Sequence, residues 1–192
     1  RCLEIGWANA ANTPFRENKM WVHEGGISTP LIARWPAGIR APGRLDRSVG
    51  HVMDLMPTLL DVAGVTYPRR LESRELLPLD GRSFRPALEK RTLPERTVGW
   101  EHEGNRAIRV GDWKLVASYR RPWELYDLRR DRTETRDLAA EQPERVRTLT
   151  ASWQRWADDL GVVPWETLPG ANYTPGPGYR KKSEPATPAT PR

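Results

Sequence analysis

The stretch TVGWEHEGNRAIRVGDWKLVASYRRPWELYD, from Thr97 to Asp127, decides the fold. Short runs rich in Val, Ile, Trp and Tyr alternate here with the turn dipeptides Gly104-Asn105 and Gly111-Asp112. This pattern is typical of consecutive antiparallel strands joined by tight turns. We predict four strands, at Val98–His102, Ala107–Val110, Trp113–Ser118 and Glu124–Asp127.

A sheet of this size needs a cover for its apolar face, and the segment Pro143–Leu160 is suited to supply it. Its apolar residues recur at helical steps of three and four, and Gly161 follows as a stop signal. These residues are Val146, Leu149, Trp153, Trp156 and Leu160. We therefore predict a helix packed on the sheet. The tryptophans at positions 113, 123, 153 and 156 are interpreted as packing residues, not as a platform for stacking bases.

The sequence before the predicted sheet indicates one more helix and a long connection. Within Val49–Val65, Asp54 can cap a helix, Pro57 falls in its first turn and Gly64 stops it. Leu55, Leu59, Leu60 and Ala63 share one face of this helix, so we expect that face to pack. The segment Thr66–Pro94 lacks a stable period and is interpreted as a surface connection with a short helix at Ser83–Leu88.

Composition narrows the classes of partner. The formal charge of +6 favours anions, but Arg is scattered among acidic residues, so we expect an anionic small molecule and no nucleic acid. No apolar run approaches the length of a membrane span, so no membrane partner is expected. Cys2 is the single cysteine, which excludes a disulfide or a thiolate metal site built within the chain.

Three cations near the start of the chain form a candidate binding site. Arg16, Lys19 and His23 lie within NTPFRENKMWVHEGGISTPLIARWP, from Asn12 to Pro36, just before a Gly25-Gly26 pair. They can converge on one anion if the loop folds back, because Arg and Lys both donate hydrogen bonds to anionic oxygens. The alternative, which spacing alone favours, is an ordinary solvated face. The apolar run at 31–33 is interpreted as a strand.

Other polar residues have simpler interpretations. His102 is expected to be a solvated strand residue, and His51 is expected to make a local capping interaction with Asp54. The charged run Arg129–Glu134 is interpreted as an exposed turn with weak ion pairs. The sequence contains no Gly-rich phosphate loop, no Gly-x-Ser-x-Gly and no Cys-x-Pro-x-Arg, so it lacks a complete catalytic set.

Five stretches resemble, in content and order, the C-terminal part of arylsulfatases. They are NTPFRENKMWVHEGGISTPLIARWPAGI, VGHVMDLMPTLLDVAGV, LPLDGRSF, EHEGNRAIRVGDWKLV and WELYDLRRDRTETRDLA. The resemblance implies an alkaline-phosphatase-like α/β fold, α+β within this chain, with a four-stranded antiparallel sheet and a packed helix at its C-terminal end. It implies that residues 1–94 end the catalytic domain with its long connection and that 95–165 form the sheet and helix subdomain. Residues 166–192 lie outside the resemblance, and because they are rich in Gly, Pro, Thr and Lys and poor in apolar residues, we predict a flexible tail.

The resemblance also implies a chemistry. In this family a formylglycine, made from the Cys of a Cys-x-Pro-x-Arg motif, attacks a sulfate ester, and a calcium ion with several Lys and His residues neutralises the sulfate. The family's late sulfate-binding Lys matches Lys19, and His23 is a second candidate beside it. Cys2 has Glu4 and Gly6 where that motif needs Pro and Arg, so no catalytic residue is expected in this chain. The Asp-Asn-Gly stretch that ends the family's calcium ligand set would lie just upstream of Arg1, so no metal ligand is expected either.

We therefore expect a C-terminal fragment of a sulfuric ester hydrolase whose small-molecule substrate is a sulfate ester. The absence of an initial Met supports a fragment, and the missing N-terminal portion would be its partner. An N-terminal signal would be lost with that portion, so the compartment, cytoplasmic or periplasmic, stays open. The alternatives are an inactive remnant, an interaction module, or a phosphonate or phosphate ester hydrolase of the same superfamily.

Overall fold

The computed structural model describes residues 5–39, 43–89 and 91–169. Its α-helices are α1 (Ile5–Ala11), α2 (Glu24–Ile27), α3 (Leu55–Ala63), α4 (Arg85–Leu88) and α5 (Pro143–Asp159). Its strands are β1 (Arg70–Leu71), β2 (Arg74–Glu75), β3 (Thr97–His102), β4 (Asn105–Val110), β5 (Trp113–Ala117) and β6 (Glu124–Asp127). Short 3₁₀ helices span Val52–Asp54 and Trp165–Thr167.

The four-stranded sheet predicted from the sequence is confirmed. Strands β3, β4, β5 and β6 lie in this order, and each pairs antiparallel with the next. The β3–β4 turn places Glu103 at φ 52° and Gly104 at φ 79°, the left-handed conformation that tight hairpin turns require. The register pairs Ile108 with Leu115 and Leu115 with Leu125, so the central apolar residues stack across three strands.

Helix α5 covers one face of the sheet, as predicted. Leu149 packs in a buried cluster with Ile108, Leu115 and Leu125, and both Trp153 and Trp156 pack against that cluster. The indole nitrogen of Trp153 donates to the Trp100 carbonyl at 3.2 Å, which anchors the helix to β3. The aromatic residues of this region therefore serve packing.

The opposite face of the sheet is covered by the segment before and within α2, which the sequence did not predict. Val22 packs in a second buried cluster with Ala107, Val116, Tyr126 and Leu128. Because both faces are covered, β5 is buried almost throughout its length. The polar residues of this second face carry the candidate site.

Two compact units make up the chain. One combines the residues up to Pro30 with those from Arg96 onward, and the other spans Leu31–Glu95. The predicted division into 1–94, 95–165 and 166–192 follows family resemblance and stays a prediction. Residues 170–192 of the predicted tail, like Cys2, lie outside the described residues.

In the second unit, helix α3 forms with the predicted signals. The His51 amide donates to Asp54 at 2.8 Å and the Met53 amide to the His51 ring at 3.4 Å, so the predicted local capping interaction is present. Gly64 ends the helix at φ 67°. The predicted apolar face is largely uncovered by the described residues of this unit, since Leu59 is 67% exposed.

Two details of the second unit differ from the sequence prediction. The apolar run at 31–33 does not form a strand, because no described segment pairs with it, and Ile32 is 91% exposed. The connection after α3 contains the β1–β2 hairpin, which the Pro- and Arg-rich sequence did not indicate. None of the helices among the described residues combines the length and the apolar character that crossing a membrane requires.

Candidate functional site

The cations near the start of the chain lie on a loop that folds back on itself. Such a fold is what the interpretation of a shared anion site required. We call residues 16–24 the Lys19 loop. The Gly25 amide donates to the Arg16 carbonyl at 2.8 Å and so closes the loop at its base. A Cβ atom on Gly25 would collide with the Glu17 carbonyl, and one on Gly26 with the Trp21 carbonyl. The glycine pair is therefore needed for this close approach of two backbone segments.

The upstream end of the loop is tied to strand β6. Arg16 Nη1 donates to Glu124 Oε2 at 2.7 Å and to the Tyr126 hydroxyl at 2.8 Å. The Tyr126 hydroxyl in turn donates to Glu124 Oε2 at 2.6 Å, while His23 Nε2 lies 3.6 Å from that oxygen. Two of the three predicted cations therefore do converge on one anion, but the anion is the internal carboxylate of Glu124.

The electrostatics of this cluster favour the ionised carboxylate. Burial alone would raise the pKa of Glu124, but the contacts from His23, Arg16 and Tyr126 outweigh it and hold the pKa well below its usual range. Burial and the Glu124 carboxylate together raise the pKa of Tyr126, so its hydroxyl keeps its proton and acts as a donor. The cluster is thus a fixed ion pair.

The downstream end of the loop is tied to strand β5 by a second buried cluster. Lys114 Nζ lies 3.1 Å from Glu24 Oε1 and 2.8 Å from Glu134 Oε1. Glu134 also accepts the Glu24 amide at 2.8 Å, and Arg132 donates to Glu24 Oε2 at 3.1 Å. Burial would raise the pKa of Glu24, but Lys114 and Arg132 lower it below its usual value.

This second cluster corrects one prediction. The run Arg129–Glu134 is not simply an exposed turn, because Glu134 is 1% exposed and Arg132 pairs with a buried carboxylate. A buried charge requires a partner, and Lys114 supplies it from a strand that is otherwise apolar. The ion pairs here are therefore structural anchors.

Lys19, the predicted sulfate-binding residue, lies at the exposed tip between these two anchors. Its side chain is exposed and makes no hydrogen bond or ion pair with the described residues. His23, the second candidate, is 0% exposed and faces Glu124. His102 is exposed, as predicted, but its ring also contacts the Met20 carbonyl of the loop at 3.2 Å.

The acidic and histidine side chains of the described residues do not form a metal site. Within 5–39, 43–89 and 91–169, no group of three or more His, Cys, Asp or Glu side chains is arranged to hold a metal ion. The acidic residues that do cluster, Glu24, Glu124 and Glu134, are engaged by Lys and Arg. The described residues therefore do not fit a calcium site.

Comparison with known protein families places this chain among the sulfatases. The family described as "N-sulphoglucosamine sulphohydrolase, C-terminal" matches residues 16–155, which is well over half of the chain. The chain belongs to this family. The matched region begins at Arg16 and so includes the whole Lys19 loop, the sheet and most of α5.

Curated relatives carry sulfatase names. An uncharacterized sulfatase of Schizosaccharomyces pombe is 33% identical over 165 residues, covering 82% of this chain and 30% of that protein. The N-acetylglucosamine-6-O-sulfatase of Bacteroides thetaiotaomicron is 28% identical and covers 74% of this chain and 28% of that protein. The chain thus spans under a third of the length of these relatives.

Solved structures share the fold. A structure from glycosaminoglycan metabolism in Bacteroides thetaiotaomicron superposes with a TM-score of 0.62 at 22% identity, over 75% of this chain and 32% of that one. The crystal structure of Ps i-CgsB gives a TM-score of 0.59 at 24% identity, over 77% of this chain and 33% of that one. The expected alkaline-phosphatase-like α/β class is therefore confirmed.

Proposed function

We propose that the chain forms the C-terminal part of a sulfuric ester hydrolase, which converts a sulfate ester and water into an alcohol or phenol and sulfate. Family membership over residues 16–155 supports this reaction class. The chain spans 30% of the fission yeast relative, so we assign turnover to a longer protein of which this chain is one part.

In this proposal Lys19 binds an oxygen of the sulfate group. One observation carries it: the only exposed side chain among the three candidate cations stands at the tip of a loop held at both ends by buried ion pairs. Its ammonium group offers three donors and a positive charge. Such a donor, fixed in advance, stabilises charge on a transferring group without the cost of reorganisation during the reaction.

His23, the second sulfate-binding candidate, has a supporting role in this proposal. Its ring has no exposed surface among the described residues and faces the Glu124 carboxylate. In the proposed site we therefore give the direct contact to Lys19 and place His23 in the layer beneath it. A buried ring that faces β6 helps to pack the Lys19 loop against the sheet.

We assign the nucleophile and the metal to the longer protein. Resemblance implies a formylglycine hydrate that attacks sulfur and a calcium ion that neutralises sulfate charge. The described residues do not fit a metal site, and Cys2, outside the described residues, lacks the flanking Pro and Arg. In this proposal neither the nucleophile nor the metal ligands come from the described residues of this chain.

The substrate class we propose is a small-molecule sulfate ester. The relatives named N-acetylglucosamine-6-O-sulfatase and N-acetylgalactosamine-6-sulfatase bear the names of sulfated amino sugars, which makes 6-sulfated hexosamines the first natural esters to test. An aryl sulfate is the general probe, because its leaving group is measured by absorbance and its recognition depends mainly on the sulfate.

The test uses a hybrid in which this chain replaces the matching segment of the fission yeast sulfatase, which supplies the remainder of the protein. We expect the hybrid to hydrolyse aryl sulfate and the purified 192-residue chain to show none. Lys19→Ala should lower the hybrid's turnover roughly a hundredfold, as loss of one charge-stabilising donor typically does. Arg129→Ala, which removes an exposed cation outside the loop, is the matched control.

Three outcomes would contradict the proposal. Turnover by the isolated chain would show that it needs no further portion. A Lys19→Ala hybrid with the rate of the unaltered hybrid would remove Lys19 from the site. Preference of the unaltered hybrid for an aryl phosphate or phosphonate over the aryl sulfate would change the reaction class.

A further inference from the structure

The residue that follows Lys19 has an unusual backbone conformation. Met20 has φ 102°, a region that residues with a side chain rarely adopt, and Glu17 on the same loop has φ 66°. Such conformations persist only where surrounding contacts impose them, and they concentrate at functional sites. The contacts around Met20 therefore set the direction in which the chain leaves Lys19.

Two residues beside the β3–β4 turn hold the Met20 carbonyl. Nδ1 of His102 lies 3.2 Å from this oxygen and Nδ2 of Asn105 lies 3.3 Å from it. A carbonyl oxygen only accepts, so His102 donates through a protonated Nδ1. Together the two donors fix the peptide group that joins Met20 to Trp21 against the end of the sheet.

The hairpin is well suited to hold this oxygen. Asn105 is buried, donates to the His102 carbonyl at 2.9 Å and accepts the Tyr119 amide at 3.1 Å. Its amide group is therefore fixed on both sides before it reaches Met20. His102 is exposed, so its ring can be replaced with little change in the core.

The ion pairs described above fix the loop only at its ends. Arg16 lies three residues before Lys19 and Glu24 lies five residues after it. Between these anchors, His102 and Asn105 hold the Met20 carbonyl at the end of the sheet. These two contacts act on the residue next to Lys19 and so lie closer to it in the chain than either ion pair.

We propose that His102 and Asn105 are positioning residues for sulfate binding, which aim the Lys19 ammonium through the Met20 peptide. This proposal rests on the proposed role of Lys19. Neither residue touches the substrate in it. A donor that moves by about 1 Å loses most of its effect on a transition state, so release of the Met20 carbonyl should lower turnover more than it weakens substrate binding.

The test is a double-mutant cycle in the hybrid enzyme. His102→Leu removes the donor, and His102→Asn restores one at nearly the same place. We expect His102→Leu to lower kcat about tenfold with KM little changed, and His102→Asn to recover most of the loss. In a Lys19→Ala background, His102→Leu should cause no further loss, because there is no ammonium left to aim.

Asn105→Asp and Thr97→Leu complete the set. Asn105→Asp keeps the acceptor for the Tyr119 amide and removes the donor to Met20, so it should reproduce the His102→Leu effect. Thr97 is exposed at the far end of β3, and Thr97→Leu should leave kcat unchanged. In the 192-residue chain alone, amide hydrogen exchange across 17–22 should be faster in His102→Leu than in Thr97→Leu.

The outcomes separate this proposal from the proposed function. An impaired Lys19→Ala hybrid with a fully active His102→Leu hybrid overturns the positioning role and leaves Lys19 in place. An equal loss from His102→Leu with and without Lys19 shows general destabilisation and also overturns it. A fully active Lys19→Ala hybrid overturns the sulfate-binding role itself, whatever the exchange measurement gives.

Discussion

Lys114 Nζ lies 2.8 Å from Glu134 Oε1, and both side chains are fully buried on the face of the sheet that carries the Lys19 loop. Glu24 lies 3.1 Å from the same nitrogen. A single lysine thus links the sheet to two segments that are far apart in the sequence. The strength of this link decides how firmly the candidate site is held.

Lys114→Met should strongly destabilise the chain. The substitution keeps the apolar stem but leaves the carboxylates of Glu24 and Glu134 buried without their shared partner, which typically costs about 3–5 kcal/mol. Urea unfolding of the purified chain measures the loss. Lys19→Met, at an exposed position, should change the unfolding free energy by less than about 0.5 kcal/mol. A loss below about 1 kcal/mol in Lys114→Met would mean that the cluster does not carry the fold.

Acid should destabilise the chain through the same anchors. Glu24 and Glu124 both have a pKa lowered below the usual value of 4.5. Above that value both carboxylates are ionised in the folded and the unfolded chain, so their full contribution to the free energy of unfolding is present. As the pH falls below about 4.5 the unfolded chain takes up protons first, and each group then lowers the free energy of unfolding by up to about 1.4 kcal/mol per pH unit.

Unfolding free energies measured from pH 6 down to pH 3 test this acid sensitivity. Glu124→Gln removes one of the two titrating carboxylates, so its stability should be lower at pH 6 and should fall less steeply with acid. An unchanged slope in Glu124→Gln would show that the carboxylate is not held in its ionised form by Arg16.

The sheet and helix α5 were predictable because their signals are local. Alternating apolar residues, turn dipeptides at Gly104 and Gly111, and a three- and four-residue apolar period at Pro143–Asp159 each act within one segment. Boundaries differ by a residue or two, as at the start of β4, because pairing extends the strand to the turn.

The buried anchors were not predictable from the sequence. Lys114 is the one charged residue in the apolar run WKLVA, but a strand lysine usually faces solvent, and nothing nearby in the sequence identifies its partners. Glu24 and Glu134 are separated from it by 90 and 20 residues, and only the fold brings them together. The proposed role of Lys19 follows from family resemblance, whereas the contacts of the Met20 carbonyl with His102 and Asn105 arise only from the fold.

Gly99 and Trp156 should behave as a coupled pair. The Trp156 indole lies against Gly99 of β3, and a Cβ atom at that position would overlap the ring. Gly99→Ala should therefore cost roughly 1–3 kcal/mol by overpacking, and Trp156→Ala about 3 kcal/mol by loss of buried aromatic area. In the double mutant the overlap disappears, so the combined cost should be less than the sum.

Urea unfolding of the unaltered protein, the two single mutants and the double mutant gives the coupling energy between Gly99 and Trp156. Gly6→Ala is the matched control, since it adds a methyl group within α1 where no atom of the described residues lies within 4 Å, apart from its chain neighbours and the helix backbone, and Ala favours a helix. Additive costs for Gly99→Ala and Trp156→Ala would mean that α5 does not pack on β3 at this point.

If the chain is part of a longer hydrolase, as proposed above, we predict that the apolar face of α3 contacts the portion that this chain does not span. Leu55, Met56 and Leu59 are 41%, 53% and 67% exposed, and apolar residues clustered on one helix face indicate an interaction surface. Leu59→Lys should change the stability of the 192-residue chain by less than about 0.5 kcal/mol, because the side chain is already largely in solvent. In the hybrid enzyme the same substitution would bury a charge, so we expect a cost of about 2 kcal/mol or more in its unfolding free energy.

Thr66→Lys, at an exposed position just beyond the helix, should affect neither protein. Equal stability of the Leu59→Lys and unaltered hybrids would show that this face stays in solvent in the longer protein as well.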